Sequence, residues 1–296
     1  MSTTLTTQGL SKVYPNGTVA ASEVNFAADR DDLVIILGPS GAGKSTLLRC
    51  MNRLLEPTSG KIFLNDEDIT HVRGKRLRRV REHVGMIFQQ FNLVHRLTVL
   101  ENVLAGRLAH CSNPLTYGLS IMRLFPKHER DVAFDCLKKV KIEHLAYQRA
   151  DTLSGGQQQR VAIARALAQE PLVFLADEPV ASLDPASAEI VMETLQDIQE
   201  NSRIPVIVNL HQIELARGYA KRIVGMAEGR LVFDDVASAL THDVVQQIYG
   251  VEVDPETGRP RTQRSAAAAE ELVRESADDE IVEPAEPGQL EVAGLT

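Results

Sequence analysis

Residues 33–45 join an unbroken apolar run to a glycine-rich loop. Leu33–Leu37 is apolar at every position, which is typical of a strand buried on both faces of a parallel sheet. Residues 38–45 (GPSGAGKS) follow with the spacing GxxxxGK[ST], and an amphipathic helical pattern comes next. A strand, this loop and a helix in that order predict a phosphate-binding loop. The residues expected on one face of the helix are Leu47, Leu48, Met51, Leu54 and Leu55.

The loop predicts nucleotide binding, because its backbone N–H groups and the helix N-terminus attract phosphate oxygens. Lys44 is expected to reach the β and γ phosphates, and Ser45 to ligate Mg²⁺. The alternative is a glycine-rich turn with a solvated Lys44. The predicted nucleotide-binding residues here are Gly38, Pro39, Ser40, Gly41, Ala42, Gly43, Lys44, Ser45 and Thr46.

Two further apolar runs, residues 172–176 and 206–208, also end in polar residues. In open α/β sheets ligands bind beyond the carboxyl ends of the strands, so these polar residues are candidates for chemistry. Asp177 is expected to hold the Mg²⁺ shell through water, and Glu178 to polarise an attacking water. The alternative is an acidic strand end before Pro179.

A second glycine-rich segment, residues 153–157 (LSGGQ), opens a predicted helix over residues 158–169. One nucleotide does not obviously need two such sites. Residues 90–152 contain no buried-strand run and predict a mostly helical insertion. Alternating apolar and polar residues over 5–30 predict short, half-buried strands.

Lys44, residues 153–157 and the pair Asp177-Glu178, in this order, resemble the nucleotide-binding subunits of ABC transporters. The resemblance implies an α/β fold of the ABC-type P-loop NTPases, with a mostly parallel core sheet, an antiparallel β subdomain and a helical subdomain at about residues 90–152. It also implies a head-to-tail dimer that binds ATP and Mg²⁺. The second loop then contacts the γ-phosphate held by the other subunit, through Ser154, Gly155, Gly156 and Gln157.

The resemblance gives roles to four more residues. Tyr14 matches an aromatic residue that stacks on adenine, and Gln89, after a predicted strand over 84–88, matches a glutamine that senses Mg²⁺ and the attacking water. Asp184 matches a segment that crosses the dimer interface, and His211 a histidine that touches the γ-phosphate. Alone, Tyr14 also fits a surface aromatic, Gln89 a polar strand end and His211 a structural histidine. The implied catalytic residues are Glu178, His211, Gln89 and Lys44, and the implied metal-site residues are Ser45, Gln89 and Asp177.

Four segments resemble the ATP-binding subunits of phosphonate importers: residues 90–94, 150–154, 179–184 and 210–212. This resemblance implies ATP hydrolysis coupled to uptake of phosphonate or a related phosphorus oxyanion, at the cytoplasmic face of the inner membrane. The implied partners are a second copy, integral-membrane permease subunits and, indirectly, a solute-binding protein. Two alternatives stay open: an importer ATPase for another small solute such as polar amino acids, and a soluble ABC ATPase acting on nucleic acid.

The net charge of −8 is concentrated near the end of the chain. Residues 254–296 hold 11 acidic residues and 4 arginines, so the preceding part is nearly neutral, which argues against nucleic acid as a partner. A basic run at residues 73–81 fits a solvated helix, with nucleic-acid binding as the alternative. We expect an ATPase domain over residues 1–250 and an acidic, flexible tail over 251–296, with one helix near 266–274.

Three cysteines, Cys50, Cys111 and Cys136, lack the spacing of a zinc site or a disulfide framework. This predicts a reducing compartment. No window approaches 18 consecutive apolar residues, so contact with a membrane is expected only through partners.

Overall fold

The computed structural model of the chain describes residues 4–110 and 125–250. Cys111 and the predicted tail at 251–296, with its predicted helix near 266–274, lie outside these residues. The division of the chain at residue 250 therefore stays a prediction.

The strands of the described residues form two sheets. A six-stranded sheet has the order β10-β9-β3-β8-β7-β6, and a four-stranded sheet has the order β2-β1-β4-β5. Their bounds are β1 Leu5–Val13, β2 Val19–Ala28, β3 Leu33–Leu37, β4 Ser59–Leu64, β5 Glu67–Asp68, β6 Val84–Ile87, β7 Val173–Asp177, β8 Val206–Asn209, β9 Arg222–Ala227 and β10 Arg230–Val236.

The six-stranded sheet is parallel except where β10 pairs with β9. Every residue of β3 and β7 is buried, because other elements cover both faces of the sheet. In β3, Leu33 and Ile35 pack in one hydrophobic cluster with the helical region, while Val34 and Ile36 pack in another with the four-stranded sheet. Burial on both faces explains the unbroken apolar runs.

The four-stranded sheet is antiparallel, with β1 paired to both β2 and β4. Its first two strands confirm the half-buried strands expected over residues 5–30. The fold is therefore an α/β fold with a mostly parallel core sheet and an antiparallel β subdomain, as the resemblance implied.

The described residues also form eight α-helices and several short 3₁₀ turns. Within residues 90–110 and 125–152, the described parts of the expected helical subdomain, the structure contains helices and short 3₁₀ turns, and no strand. The bounds of the helices are α1 Lys44–Met51, α2 Gly74–His83, α3 Val99–Leu104, α4 Lys127–Lys139, α5 Gly155–Leu167, α6 Pro185–Ser202, α7 Ile213–Tyr219 and α8 His242–Tyr249. Within the described ranges, no helix combines the length and the apolarity needed to cross a bilayer.

Several sequence-based boundaries were wrong by a few residues. α5 begins at Gly155 rather than residue 158, because Ser154 caps the helix at that point. β6 ends at Ile87, one residue before the expected residue 88, and β8 extends one residue past the apolar run 206–208, to Asn209. Leu54, expected on the apolar face of α1, is 42% exposed because α1 ends at Met51.

Candidate functional site

The loop between β3 and α1 needs glycine at two positions. Gly43 has φ +99°, and a Cβ there would lie 1.9 Å from the carbonyl oxygen of Ala20. Gly38 has φ +153°, and a Cβ there would lie 2.1 Å from the carbonyl oxygen of Met226. Neighbouring backbone therefore encloses the loop on both sides, and only glycine fits without displacing it.

Lys44, the first residue of α1, folds back over this loop. Its Nζ donates hydrogen bonds to the carbonyl oxygens of Gly38 at 2.6 Å and Pro39 at 3.0 Å. The residue is 4% exposed, and burial lowers the pKa of Lys44, while the carboxylates of Glu178 and Asp177 oppose that shift. The loop thus holds a buried ammonium group directly against its own backbone.

Ser45 and Asp177 form a pair of oxygen donors beside the loop. The Ser45 hydroxyl donates to Asp177 Oδ1 at 2.6 Å, and Asn209 Nδ2 donates to the same oxygen at 2.9 Å. Arg49 lies 3.3 Å from the other carboxylate oxygen, Oδ2. Asp177 is 4% exposed, so its buried carboxylate is satisfied by neutral donors and one arginine.

This arrangement fits Mg²⁺, because the ion prefers hydroxyl and carboxylate oxygens and keeps several waters. In addition, Asn209 Oδ1 is buried and has no hydrogen-bond partner among the described residues. Those residues contain no cluster of three or more His, Cys, Asp and Glu side chains suited to a metal ion. Ser45 and Asp177 therefore match a water-rich Mg²⁺ site and not a cage made entirely of protein ligands.

Glu178 has a different partner from Asp177 and contacts His211. His211 Nε2 lies 2.5 Å from Glu178 Oε1, although 33 residues separate them in sequence. Glu178 has φ +53°, a left-handed conformation that is uncommon for a non-glycine residue and costs roughly 1–3 kcal/mol. Adjacent carboxylates thereby acquire different partners, and the Glu178 side chain remains 20% exposed.

Tyr14 lies beside the start of α1, whereas Gln89 makes no described hydrogen bond to the residues around the phosphate-binding loop. The Tyr14 hydroxyl lies 3.2 Å from Thr46 Oγ1 at the start of α1, and Lys12 Nζ lies 5.6 Å from the centre of the Tyr14 ring. Gln89 is exposed, beyond the end of β6. No hydrogen bond within the described ranges joins Gln89 to Ser45 or Asp177, the other two metal-site candidates.

The second glycine-rich segment forms the start of α5. The Ser154 hydroxyl accepts a hydrogen bond from the Gln157 N–H at 3.4 Å, while Gln157 Oε1 accepts one from the Ser154 N–H at 2.9 Å. A Cβ on Gly155 would lie 3.2 Å from the Leu183 side chain, and one on Gly156 would lie 2.8 Å from Ser187. The segment is therefore a reciprocal helix cap that packs closely against residues 183–187.

Asp184 has a role in local structure that the resemblance did not include. Its carboxylate caps α6 by accepting a hydrogen bond from the Ser187 N–H at 2.9 Å. Hydrogen bonds to Ser187 hold the pKa of Asp184 below its usual range. A helix-capping role and a role at a subunit interface are compatible, since the capping interaction uses one oxygen.

Sequence reasoning missed Asn209. This residue is fully buried at the end of β8, and it is the register partner of Asp177 in the neighbouring strand β7. The available signal was a polar residue that ends the third apolar run.

Comparisons with known proteins agree with this fold. A family model described as "ABC transporter" matches residues 21–181. The chain is 53% identical over 243 residues to the phosphonates import ATP-binding protein PhnC of Bacillus thuringiensis subsp. konkukian, covering 82% of this chain and 93% of the relative.

Several solved structures of ABC transporter ATPases have a similar fold. The cassette MJ0796, a dimer in a post-hydrolysis state bound to ADP and Pi, is 33% identical with a TM-score of 0.68, covering 79% of this chain and 98% of that one. The protein cbiO1 of Clostridium perfringens, part of the ABC transporter complex cbiONQ, is 31% identical with a TM-score of 0.72, covering 84% and 95% of the two chains. On the sequence match and the shared fold together, this chain belongs to the ABC transporter family of ATP-binding proteins.

Proposed function

We propose that this chain is the ATP-hydrolysing subunit of an importer for phosphonate or a related phosphorus oxyanion. The observation that carries the proposal is the 53% identity to a phosphonates import ATP-binding protein along 93% of that relative's length. The site supports the ATPase part independently, because a phosphate-binding loop, a buried lysine and two carboxylates with different partners converge on one sheet edge.

In this proposal residues 38–46 hold the triphosphate of ATP, and Tyr14 stacks on the adenine. Lys44 exchanges its bonds to the carbonyls of Gly38 and Pro39 for phosphate oxygens, which restores a charged partner to a buried ammonium group. Ser45 and Asp177, with Gln89, hold Mg²⁺. The bound ion supplies positive charge to the β and γ phosphates.

Glu178 is the proposed general base. Its free carboxylate oxygen orients a water in line with the γ-phosphorus and accepts a proton from it, while His211 holds the other oxygen and contacts the γ-phosphate. The Asp177 carboxylate is already engaged by Ser45 and Asn209, so it is less available for that task. Lys44 stabilises the negative charge of the transition state.

A second copy of the chain completes each site. Ser154, Gly155, Gly156 and Gln157 contact the γ-phosphate bound to the other subunit, and Asp184 lies at the interface between subunits. Within one chain, the two glycines of this segment face Phe91, Leu183 and Ser187, and no hydrogen bond among the described residues joins the segment to the phosphate-binding loop. The dimeric cassette MJ0796 supports this arrangement by similarity.

The proposed domain organisation follows the sequence expectation: an ATPase domain over residues 1–250 with a helical subdomain at about 90–152, and a tail over 251–296. The dimer binds integral-membrane permease subunits at the cytoplasmic face of the inner membrane and reaches a solute-binding protein only indirectly. Nucleic acid is not a proposed partner, since the nearly neutral body offers little attraction to phosphate backbones.

The test is ATP hydrolysis by the chain alone and after reconstitution with its permease and binding protein. The isolated chain should hydrolyse ATP at a rate indifferent to phosphonate, because a ligand shifts an equilibrium only by binding two states differently. The reconstituted complex should be stimulated by phosphonate, phosphite or a phosphate ester. Stimulation by an amino acid instead would retain the ATPase and overturn the phosphonate assignment.

A further inference from the structure

The loop that contains Gln89 runs from the catalytic sheet to the helical region. It starts after β6, whose last residue Ile87 is in register with Ala176 of β7, and it ends at α3, capped by Thr98. The loop comprises residues 88–98. Its first residues are therefore fixed next to β7, the strand that carries Asp177. Its later residues are held by side chains that come from helices.

The strongest of these contacts comes from Arg165 of α5. Arg165 Nη1 donates to the carbonyl oxygen of Asn92 at 2.6 Å, and Nη2 donates to that of Phe91 at 3.0 Å. Burial lowers the pKa of Arg165, and in the described part of the chain no carboxylate forms an ion pair with it. Arg165 is half-buried, and removing a guanidinium from water is costly unless its donors find partners, so the two loop carbonyls stabilise the side chain in this position.

The loop backbone is shaped to make this contact. Asn92, whose carbonyl accepts the shorter bond, has φ +51°, a left-handed conformation that asparagine tolerates better than most residues. Val94, two residues after Asn92, is held by Asn102 of α3. The Asn102 side chain accepts a hydrogen bond from the Val94 N–H at 2.8 Å and donates one to the Val94 carbonyl oxygen at 3.1 Å. The loop is therefore attached to two helices within five residues of Gln89.

We infer that Arg165 is a positioning residue for Gln89, because it fixes Phe91 and Asn92 to α5 while β6 fixes the other side of the glutamine. Any displacement of α5 relative to the sheet then moves Gln89. α5 is also the helix whose first residues are proposed to contact the ATP of the other subunit. This inference rests on the proposed function, in which Gln89 acts at Mg²⁺ and the attacking water, and it adds a residue that does not touch the nucleotide.

The first test compares Arg165→Lys with Arg160→Lys. Lysine keeps the charge but loses the two-pronged donor geometry. Arg160 is a matched control on the same helix, since its Nη1 lies 3.5 Å from the carbonyl oxygens of Val140 and Lys141 and makes no described hydrogen bond to the loop. We expect R165K to lower kcat about tenfold to a hundredfold, as small misplacements at catalytic centres do, with KM for ATP within about twofold. R160K should change neither.

Two measurements separate positioning from general destabilisation. In a Gln89→Ala background R165K should cause no further loss of kcat, because a residue that acts through Gln89 has nothing left to position. Backbone amide exchange over residues 88–94 should be faster in nucleotide-free R165K than in R160K or the wild type. The inference would be overturned if R165K lowered kcat further in the Gln89→Ala background. It would also be overturned if R165K alone changed neither kcat nor the amide-exchange rate.

A second variant pair tests the contact from the loop side. Asn92→Ala disfavours φ +51° and should reproduce the R165K loss of kcat, while Asn92→Gly tolerates that φ and should retain wild-type kcat. Equal kcat in the two variants would contradict the inference. If the wild-type chain hydrolyses no ATP, the proposed function fails, and the amide-exchange comparison still decides whether Arg165 holds the loop.

Discussion

His211 Nε2 lies 2.5 Å from Glu178 Oε1 and connects the ends of two adjacent strands, β7 and β8. The contact occupies one oxygen of the carboxylate. The Glu178 side chain as a whole is 20% accessible to solvent. The contact with His211 therefore orients the carboxylate, while part of the side chain stays accessible to water.

Replacing Glu178 by glutamine tests its role as the base. The amide keeps the size of the side chain but cannot accept a proton, so ATP binding should persist while hydrolysis falls by about 10²–10⁴-fold. Steady-state phosphate release measures turnover, and gel filtration with ATP should detect a trapped dimer. Turnover close to that of the wild type would remove Glu178 from the catalytic role.

Mixing two inactive variants tests the shared site. Lys44→Ala disables the phosphate-binding loop, and Ser154→Arg blocks the second loop, so neither homodimer has an intact site. A mixed dimer has one intact site and one doubly broken site, and the mixture should recover part of the wild-type ATPase rate. If no activity returns, crosslinking a cysteine at position 154 to the partner's phosphate-binding loop decides whether the sites are shared.

Lys44→Met tests the cost of burying the ammonium group. The pKa of Lys44 is lower in the folded protein than its usual 10.5, so the protonated form destabilises the folded state below the folded-state pKa. This cost disappears as the pH rises toward 10.5. K44M should therefore melt at or above the wild-type temperature near neutral pH, without ATP binding, and its advantage should shrink at high pH. A large loss of stability at neutral pH would contradict this account.

Asn209→Ala removes a donor from the buried Asp177 carboxylate. We expect a higher Mg²⁺ concentration for half-maximal ATPase rate, and a loss of about 1–3 kcal/mol in the free energy of unfolding. Thr194→Ala is the matched control, because Thr194 is a buried polar residue that donates to the carbonyl of Ile190 on α6. T194A should lower stability without a change in the Mg²⁺ requirement. Equal Mg²⁺ curves for N209A and the wild type would exclude Asn209 from the site.

Much of the fold was predictable because it depends on local patterns. Leu33–Leu37 is apolar throughout since both faces of β3 are covered, and the glycine spacing that follows permits the tight turn into α1. Ser154 is a strong helix-capping residue, yet the predicted helix start was three residues late, because the glycines after it were interpreted as loop. Boundaries depend on capping side chains, and these are weaker signals than periodicity.

Contacts between strands and helices were less accessible from sequence. The order β3-β8-β7-β6 places Asn209 beside Asp177, and no local pattern encodes that order. Arg165 lies in a sequence that reads as an ordinary amphipathic helix, and its partners Phe91 and Asn92 are more than 70 residues earlier. Such residues are recognisable only once distant segments have packed together.

Uptake of radiolabelled phosphonate into proteoliposomes tests the central claim most directly. The vesicles contain the permease and this chain, with ATP and Mg²⁺ enclosed inside and the solute-binding protein outside. Uptake should require ATP and should be lost with Glu178→Gln. Unlabelled phosphonate should compete with the labelled solute and reduce its uptake, whereas unlabelled glutamine should not. Phosphonate uptake that proceeds without ATP, or equally well with Glu178→Gln, would contradict it.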